Sequence, residues 1–262
     1  MGFNELLHDL EPGAAAQAAG ISRGHPGPPA RVLSIRTGPA TMRCASLLKP
    51  LYAWVTAARA PDAERWRRHA EPAVVVSSNA DTRNLWLAVG PRVILDDLHQ
   101  RTGVRWTPPA GDPSRFGGVE VAADEVAAAY AALAQAGAAG DPVAETVLGW
   151  MRQVKGGQTY GAREALRAPE AGIKCGWYGE PDETCLRTHA VAVLPRGGTR
   201  ATVVVAMTAV PYPDRRERET YQARAAEGLP VEGEHERVAG ALLRGLMTTT
   251  LTELGYRHRR PS

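Results

Sequence analysis

Arg187-Thr188-His189-Ala190-Val191-Ala192-Val193-Leu194-Pro195 and Ala201-Thr202-Val203-Val204-Val205-Ala206-Met207-Thr208 are two apolar, valine-rich runs separated by Arg196-Gly197-Gly198-Thr199. Runs of this composition on either side of a glycine turn read as a β-hairpin. Just upstream, Lys174-Cys175-Gly176 is followed by a turn-rich stretch from Tyr178 to Glu183, which puts that string on the strand before the hairpin. Downstream, Val238, Leu242, Leu246 and Leu251 keep helical spacing and predict a closing helix from about Glu234 to Leu254.

Two further strings lie nearer the start. Ser46-Leu47-Leu48-Lys49 sets a hydroxyl and an amine three residues apart, and on a helix that spacing brings both to one face. A serine hydroxyl is a poor nucleophile until a neighbouring base takes its proton. Lysine serves as that base only when burial and nearby positive charge keep its amine unprotonated, and Lys174 is the candidate for the second charge. Leu47, Leu48, Pro50, Leu51, Tyr52, Trp54 and Val55 are apolar nearly all round, which predicts a buried helix from Ser46 to about Ala60. Pro50 fits only the first turn of such a helix. The other string, Ser77-Ser78-Asn79, follows Val74-Val75-Val76 and precedes a helical stretch with Leu85, Trp86 and Leu87.

Taken in order, the three strings resemble the Ser-x-x-Lys, Ser-x-Asn and Lys-[Ser/Thr]-Gly set of the serine β-lactamases and penicillin-binding proteins. The resemblance is strongest to class A β-lactamases and covers roughly residues 42 to 254. It implies an α/β (α+β) fold of the β-lactamase/transpeptidase type, with an antiparallel five-stranded sheet flanked by helices and an all-helical lobe, in one domain. The sheet lobe would comprise about 1–45 and 140–262, the helical lobe about 46–139. Roles are implied as well: Ser46 attacks a carbonyl, Lys49 takes its proton, and Ser77 relays a proton to the leaving group. Asn79 would bind the substrate side chain and hold Lys49, while Lys174 contributes positive field. Gly176 lets substrate lie along the strand edge, and Arg187 helps to hold a substrate carboxylate. The N–H groups of Ser46 and Trp177 would form the oxyanion hole.

Three features depart from that family's pattern. Trp106-Thr107-Pro108 stands where the family has Trp-Glu-Pro, so Thr107 replaces the glutamate that activates the deacylating water. On this alignment Thr107→Glu is expected to speed release of a trapped acyl group, and the nearby carboxylates Asp112 and Glu120 could substitute only in a rebuilt loop. The stretch from Thr107 to Gly118 holds three prolines and three glycines and is a loop. Cys175 occupies the middle of the third string, where a thiol is a weaker hydrogen-bond partner than a hydroxyl, so recognition of a substrate carboxylate is expected to change. Ser46 and Ser77 lie 31 positions apart, which leaves room for one long helix and a short one at about Ala63 to Ala70. The family usually carries a larger helical insertion there, so the lobe is reduced and its pocket altered or more open.

Elsewhere the sequence predicts a helix at Asn4 to Leu10, a Gly/Pro-rich stretch from Gly20 to Pro29, and a strand at Arg31 to Arg36. Within the alanine-rich run from Val121 to Ala139, Val126, Tyr130 and Leu133 keep the spacing of a packed helix. A chain of 262 residues, 44% hydrophobic and 23% charged, suits an ordinary globular protein. The net charge of +3 is mild, and the basic residues scatter apart from Arg65 to His69 and Arg257-His258-Arg259-Arg260, which read as solvated. No basic stripe is interleaved with aromatics, so nucleic-acid binding is not expected. No Cys or His pair has metal-ligand spacing, and neither a metal nor another cofactor is expected. No run approaches the roughly 20 apolar residues of a membrane span. The segment from Met1 to Glu11 carries Glu5, Asp9 and Glu11 and lacks the apolar core of a signal peptide. A cytoplasmic protein is expected, in which Cys44, Cys175 and Cys185 stay reduced. Of the seven histidines only His189 lies near the site, and it reads as a surface residue at a strand end.

The function these readings favour is a serine acyl-enzyme hydrolase or acyltransferase, acting through Ser46 on a small amide, ester or β-lactam-type substrate. A role in antibiotic biosynthesis or self-protection would fit. Two alternatives stand beside it. One is a class A-like β-lactamase or D-alanyl-D-alanine peptidase whose water-activating group lies elsewhere; the other is a non-enzymatic binder that retains the pocket.

Overall fold

Two segments that nowhere touch in sequence build the sheet. A computed structural model describes residues 2–8, 10–23, 31–178, 184–195, 201–227 and 229–256. The turn-rich stretch at 179–183, the Gly-Gly hairpin turn at 196–199, most of the Gly/Pro-rich stretch before residue 31 and the basic tail at 257–260 lie outside them. In chain order the elements are α1 (Phe3–His8), β1 (Ala15–Arg23), β2 (Arg31–Arg36), β3 (Met42–Arg43), α2 (Lys49–Thr56), α3 (Ala63–Val75), α4 (Asn79–Val89) and α5 (Pro91–Thr102). There follow β4 (Glu120–Val121), α6 (Ala123–Ala138), α7 (Pro142–Arg152), α8 (Ala162–Ala165), β5 (Gly172–Tyr178), β6 (Cys185–Pro195), β7 (Ala201–Pro211), α9 (Arg215–Ala226) and α10 (Glu232–Glu253).

The antiparallel sheet has the order β2-β1-β7-β6-β5, and a two-stranded ribbon pairs β3 with β4. β1 is a strand that the sequence reading passed over. Its alanine-rich segment lacks the β-branched signature but runs antiparallel to both β2 and β7, so tertiary pairing outweighs its weak propensity. Side chains on a strand alternate between faces, and the core divides accordingly. Val203, Val205 and Met207 of β7 pack toward the helical side with α6, whereas Val204 and Ala206 pack toward Leu243, Leu246 and Met247 of α10. On β5 the same alternation turns Ile173 and Cys175 toward α10. Lys174, opposite Val191, and Gly176, opposite His189, therefore face the helical side.

The helix expected to open at Ser46 opens instead at Lys49 and ends at Thr56, with a 3-10 turn at Ala57–Arg59. Pro50 falls in the first turn, where a missing N–H costs nothing, so the proline marks where the helix begins. All eight residues of α2 are buried, Lys49 among them. α3 outlasts its expected end at Ala70 and carries Pro72 inside it. Val74 and Val75 are therefore the end of a helix.

Candidate active site

A tight turn presents Ser46. Ala45 before it has φ +49°, a left-handed conformation that costs a residue with a Cβ about 1 kcal/mol or more. Neighbours hold the turn in place: Ala45 N donates to Gly117 O at 2.9 Å and Cys44 N to Val119 O at 2.8 Å. The Tyr52 hydroxyl donates to Phe116 O at 3.0 Å, and that of Tyr130 to Leu47 O. On the sheet side, a Cβ built on Gly176 would lie 2.7 Å from Ser46 N and 3.0 Å from Leu47 N, so only glycine admits this approach of strand and turn.

Ser77 is also left-handed, with φ +56°. Its neighbour Ser78 caps α4 by accepting from Asp81 N at 3.3 Å, and Thr82 Oγ1 donates to Ser78 O at 2.6 Å. Ser77 is thereby set at the mouth of α4 with Asn79 one turn-edge away. Lys174 Nζ donates to Ser77 Oγ at 2.9 Å and to Cys175 O at 2.7 Å. Lys49 Nζ donates to Ser77 O and to Asn79 Oδ1 at 2.8 Å, and lies 3.2 Å from Ser77 Oγ. One hydroxyl thus stands between two lysine amines.

Both lysines are fully buried, and burial lowers their pKa values because a low-dielectric surrounding penalises the charged form. Lys174 comes down to about 8. Lys49 lies well below its usual value, first through burial and then through the charge on Lys174. Lys49 Nζ has three oxygens in reach, Ser77 O, Asn79 Oδ1 and Ser77 Oγ; as a neutral amine it would donate to the first two and accept from the third. A charged Lys174 donates to Ser77 Oγ and to Cys175 O, so a second amine reaches the same hydroxyl.

A cleft of about 260 Å³ opens over this group, lined among others by Ser46, Ser77, Asn79, Phe116 and Trp177. Ser46, Ser77, Asn79, Lys174, Gly176 and Trp177 are therefore gathered in one place, with Lys49 beneath. Arg187 reaches the cleft indirectly: its guanidinium lies 5.5 Å over the ring of Tyr178, a lining residue. Among the described residues no hydrogen bond joins Ser46 Oγ to Lys49, Ser77 or Lys174. The direct contact expected from Ser-x-x-Lys spacing is not made, because the helix starts three residues late and Lys49 turns to Ser77 and Asn79.

Three sequence expectations are corrected. Cys175 does not touch the cleft: strand alternation turns its thiol into the core against α10, and burial raises it to about 12. Thr107 is exposed and off the cleft. The loop is pinned at Trp106, whose Nε1 donates to Glu125 Oε2 at 2.9 Å, and it reaches the cleft further on, from Ser114 to Gly118. Asp112, which accepts from Ser114 Oγ at 2.6 Å, and Glu120, 3.9 Å from Arg43, do not line the cleft either. His189 is not a surface residue: it is wholly buried, with Nε2 3.1 Å from Arg43 O, and burial lowers its pKa to about 4.

Other cleft residues escaped the sequence reading. Phe116 places its ring 5.3 Å from Lys49 Nζ, an apolar face over the amine. Arg43, Arg83 and Arg115 also line the cleft, Arg43 beside Glu120, and among the described residues no carboxylate lines it. Arg83 had a legible signal, since it lies four residues after Asn79 on one helix face. Phe116 had none, because loop paths are not encoded in a periodicity. Among the described residues no cluster of His, Cys, Asp or Glu is arranged for a metal ion, and no helix is long and apolar enough to cross a membrane.

A sheet-edge lysine and a helix-mouth serine thus meet at one hydroxyl, between an antiparallel sheet and a helical layer. Solved structures are similar over nearly the whole chain. A variant of the last common ancestor of the Gram-negative bacteria class A β-lactamase gives a TM-score of 0.62 at 17% identity, over 97% of this chain and 99% of that one. An ancestral class A β-lactamase gives 0.59 at 19%, over 95% and 98%. A β-lactamase from Xanthomonas campestris pv. campestris gives 0.60 at 14%, over 96% and 95%. The chain has the class A serine β-lactamase fold. No family model matches the sequence, and no curated protein sequence does.

Proposed function

We propose that this protein is a serine acyl-enzyme hydrolase or acyltransferase that uses Ser46 as nucleophile on a small amide, ester or β-lactam-type substrate. One observation carries the reading: Ser77 Oγ sits between two buried amines of lowered pKa, on the cleft that Ser46 also lines. With substrate in place Ser46 Oγ rotates toward the relay and gives its proton to Lys49, directly or through Ser77. The oxyanion that develops on the carbonyl meets the N–H groups of Ser46 and Trp177. Ser77 then returns a proton to the leaving group. Arg43, Arg83 and Arg115 on the cleft favour an anionic acyl donor, their charge offset in part by Glu120 beside Arg43 and by Asp112.

Transfer of the acyl group to an acceptor, or slow hydrolysis, is favoured over rapid hydrolysis. Phe116 covers Lys49, and no carboxylate among the described lining residues stands ready to activate a water. A non-catalytic binder is the second reading, favoured by the absence of a hydrogen bond from Ser46 Oγ to either lysine among the described residues. Intact-mass spectrometry after incubation with β-lactams and activated esters separates the two. Acyl chemistry predicts an adduct on the native chain that disappears in Ser46→Ala; an adduct that survives this exchange refutes the nucleophile, and none with any donor leaves the binder.

A further inference from the structure

His235 lies on the face of the sheet away from Lys174 and Ser46, yet it bears on the cleft through the strand between. β5 is an edge strand, and near its end Trp177 pairs with Thr188 of β6. His235, on α10, touches both members of that pair. Its Nδ1 is 2.8 Å from Thr188 Oγ1, and its ring stands 6.4 Å from the Trp177 ring. The other ring nitrogen, Nε2, lies 2.9 Å from the Tyr221 hydroxyl, with the two rings edge-on at 5.4 Å.

The surroundings leave this histidine little freedom. Tyr221 is the one buried side chain of α9, and its hydroxyl is spent on His235. With Leu186 and Val231 it forms a small third core, against which Trp177, Tyr212 and Val238 pack. Burial lowers the pKa of His235 to about 3, so the ring is neutral and offers one donor and one acceptor. Thr188 and Tyr221 take up both, whichever nitrogen carries the proton. The ring therefore cannot turn without stranding a buried polar atom. Thr188 is also tied to the next strand, because Thr208 Oγ1 donates to Thr188 O at 2.7 Å.

We infer that His235 is a positioning residue for acylation: by holding Thr188 and Trp177 together it sets where the Trp177 N–H points at the cleft. The inference rests on the reading in which that N–H meets the oxyanion. Such a donor works by being in place before the charge develops, and losing one outright lowers the rate about 100- to 1,000-fold. A donor that is loosened but still present forfeits part of that. His235 touches no substrate and moves no proton; it acts through the strand.

Removing His235 endangers the fold, so the bond is cut from the Thr188 side in the full chain. Thr188→Val keeps the shape and loses the hydroxyl, whereas Thr188→Ser keeps the hydroxyl. Thr202→Val is the control, a buried hydroxyl lost at the other end of β7, where Thr202 Oγ1 donates to Ser22 Oγ at 3.3 Å. With benzylpenicillin and p-nitrophenyl acetate as donors, timed intact-mass spectrometry gives the acylation rate against donor concentration. Thr188→Val is expected to lower the limiting rate about tenfold, a part of what an oxyanion donor contributes, at an unchanged half-saturating concentration. Thr188→Ser should restore the native rate and Thr202→Val should keep it. A native limiting rate in Thr188→Val, or an equal loss in Thr202→Val, overturns the inference. So does a loss confined to the half-saturating concentration, which reports binding and not the transition state. Amide hydrogen exchange tests the clamp with no donor present. The β5 amides from Gly176 to Tyr178 should exchange faster in Thr188→Val than in Thr188→Ser, and equal exchange also overturns the inference. No adduct on the native chain overturns the acyl-enzyme reading, while faster exchange in Thr188→Val would still support His235 as the clamp on Trp177.

Discussion

The two walls of the cleft are held by different means. On one side β5 delivers Lys174 and Gly176 by regular register, each paired across to β6 and turned to the helical side by strand alternation. On the other, Ser46 and Ser77 sit on turns with a left-handed residue, Ala45 in one and Ser77 itself in the other. The strand is stable by default, whereas each turn persists only because the neighbours over-determine it. Acid–base chemistry needs a fixed reference and a group presented sharply, and here the sheet supplies the first and the strained turns the second.

Four experiments break or sharpen that contrast. The largest effect is expected from Gly176→Ala, which sets a Cβ against the backbone of the Ser46 turn and forces the two walls apart. Acylation should fall at least ~100-fold, the order of cost of misplacing reacting groups by an ångström, with a loss of about 1–3 kcal/mol in urea unfolding. A variant of native rate would mean that the approach of strand and turn is not needed.

Second is the pH profile of acylation. The rate should rise as Lys49 loses its proton and becomes a base, then fall above about 8 as Lys174 loses the charge that holds Ser77 and an anionic substrate. Lys174→Gln should lower the plateau and remove the alkaline limb. An alkaline limb that persists in this variant would assign it to another group.

Third, His189 ties the sheet to the turn through Arg43 O and is held neutral, as is His235, lowered to about 3. Below pH 6.5 the unfolded chain takes up protons that these buried rings refuse, so stability present above 6.5 is lost as pH falls toward 4. For His189 alone this amounts to about 3 kcal/mol by pH 4. Urea midpoints at pH 7.5 and 4.5 should differ accordingly, and His189→Gln should reduce the difference.

The smallest effect is expected from Ala45→Gly, which relieves the left-handed strain. Stability should change by no more than about 1 kcal/mol, while acylation drops a few-fold as the turn loosens. Unchanged acylation would show that strain at Ala45 does not help to present Ser46.

How far the sequence was legible follows the same division. Regular elements announced themselves: the valines of β6 and β7, the heptad-like leucines of α10 and the tyrosine-bearing helix α6 were all readable from period alone. β1 was not, because alanines carry no strand signature and its partners are two strands remote in the chain. The Lys-Cys-Gly string reads as part of a strand, and the period of two that goes with a strand is what turns Cys175 away from the cleft. Irregular backbone hid the rest. Nothing in the composition of the 107–118 loop says that Phe116 rather than Thr107 comes to Lys49, since that depends on the Trp106–Glu125 anchor and on hydrogen bonds from Tyr52 and Ala45.

The placing of β1 between β2 and β7 has a consequence for how the molecule is made. β1 is synthesised well before its inner neighbour, which follows 188 positions later, as the register of Ala18 with Ala206 shows. The early hairpin must wait with one edge bare while the whole helical segment is synthesised and packs upon itself. Assembly of the sheet therefore comes late and is dominated by distant pairings, the condition under which small domains fold slowly and lean most on protection from their own kind.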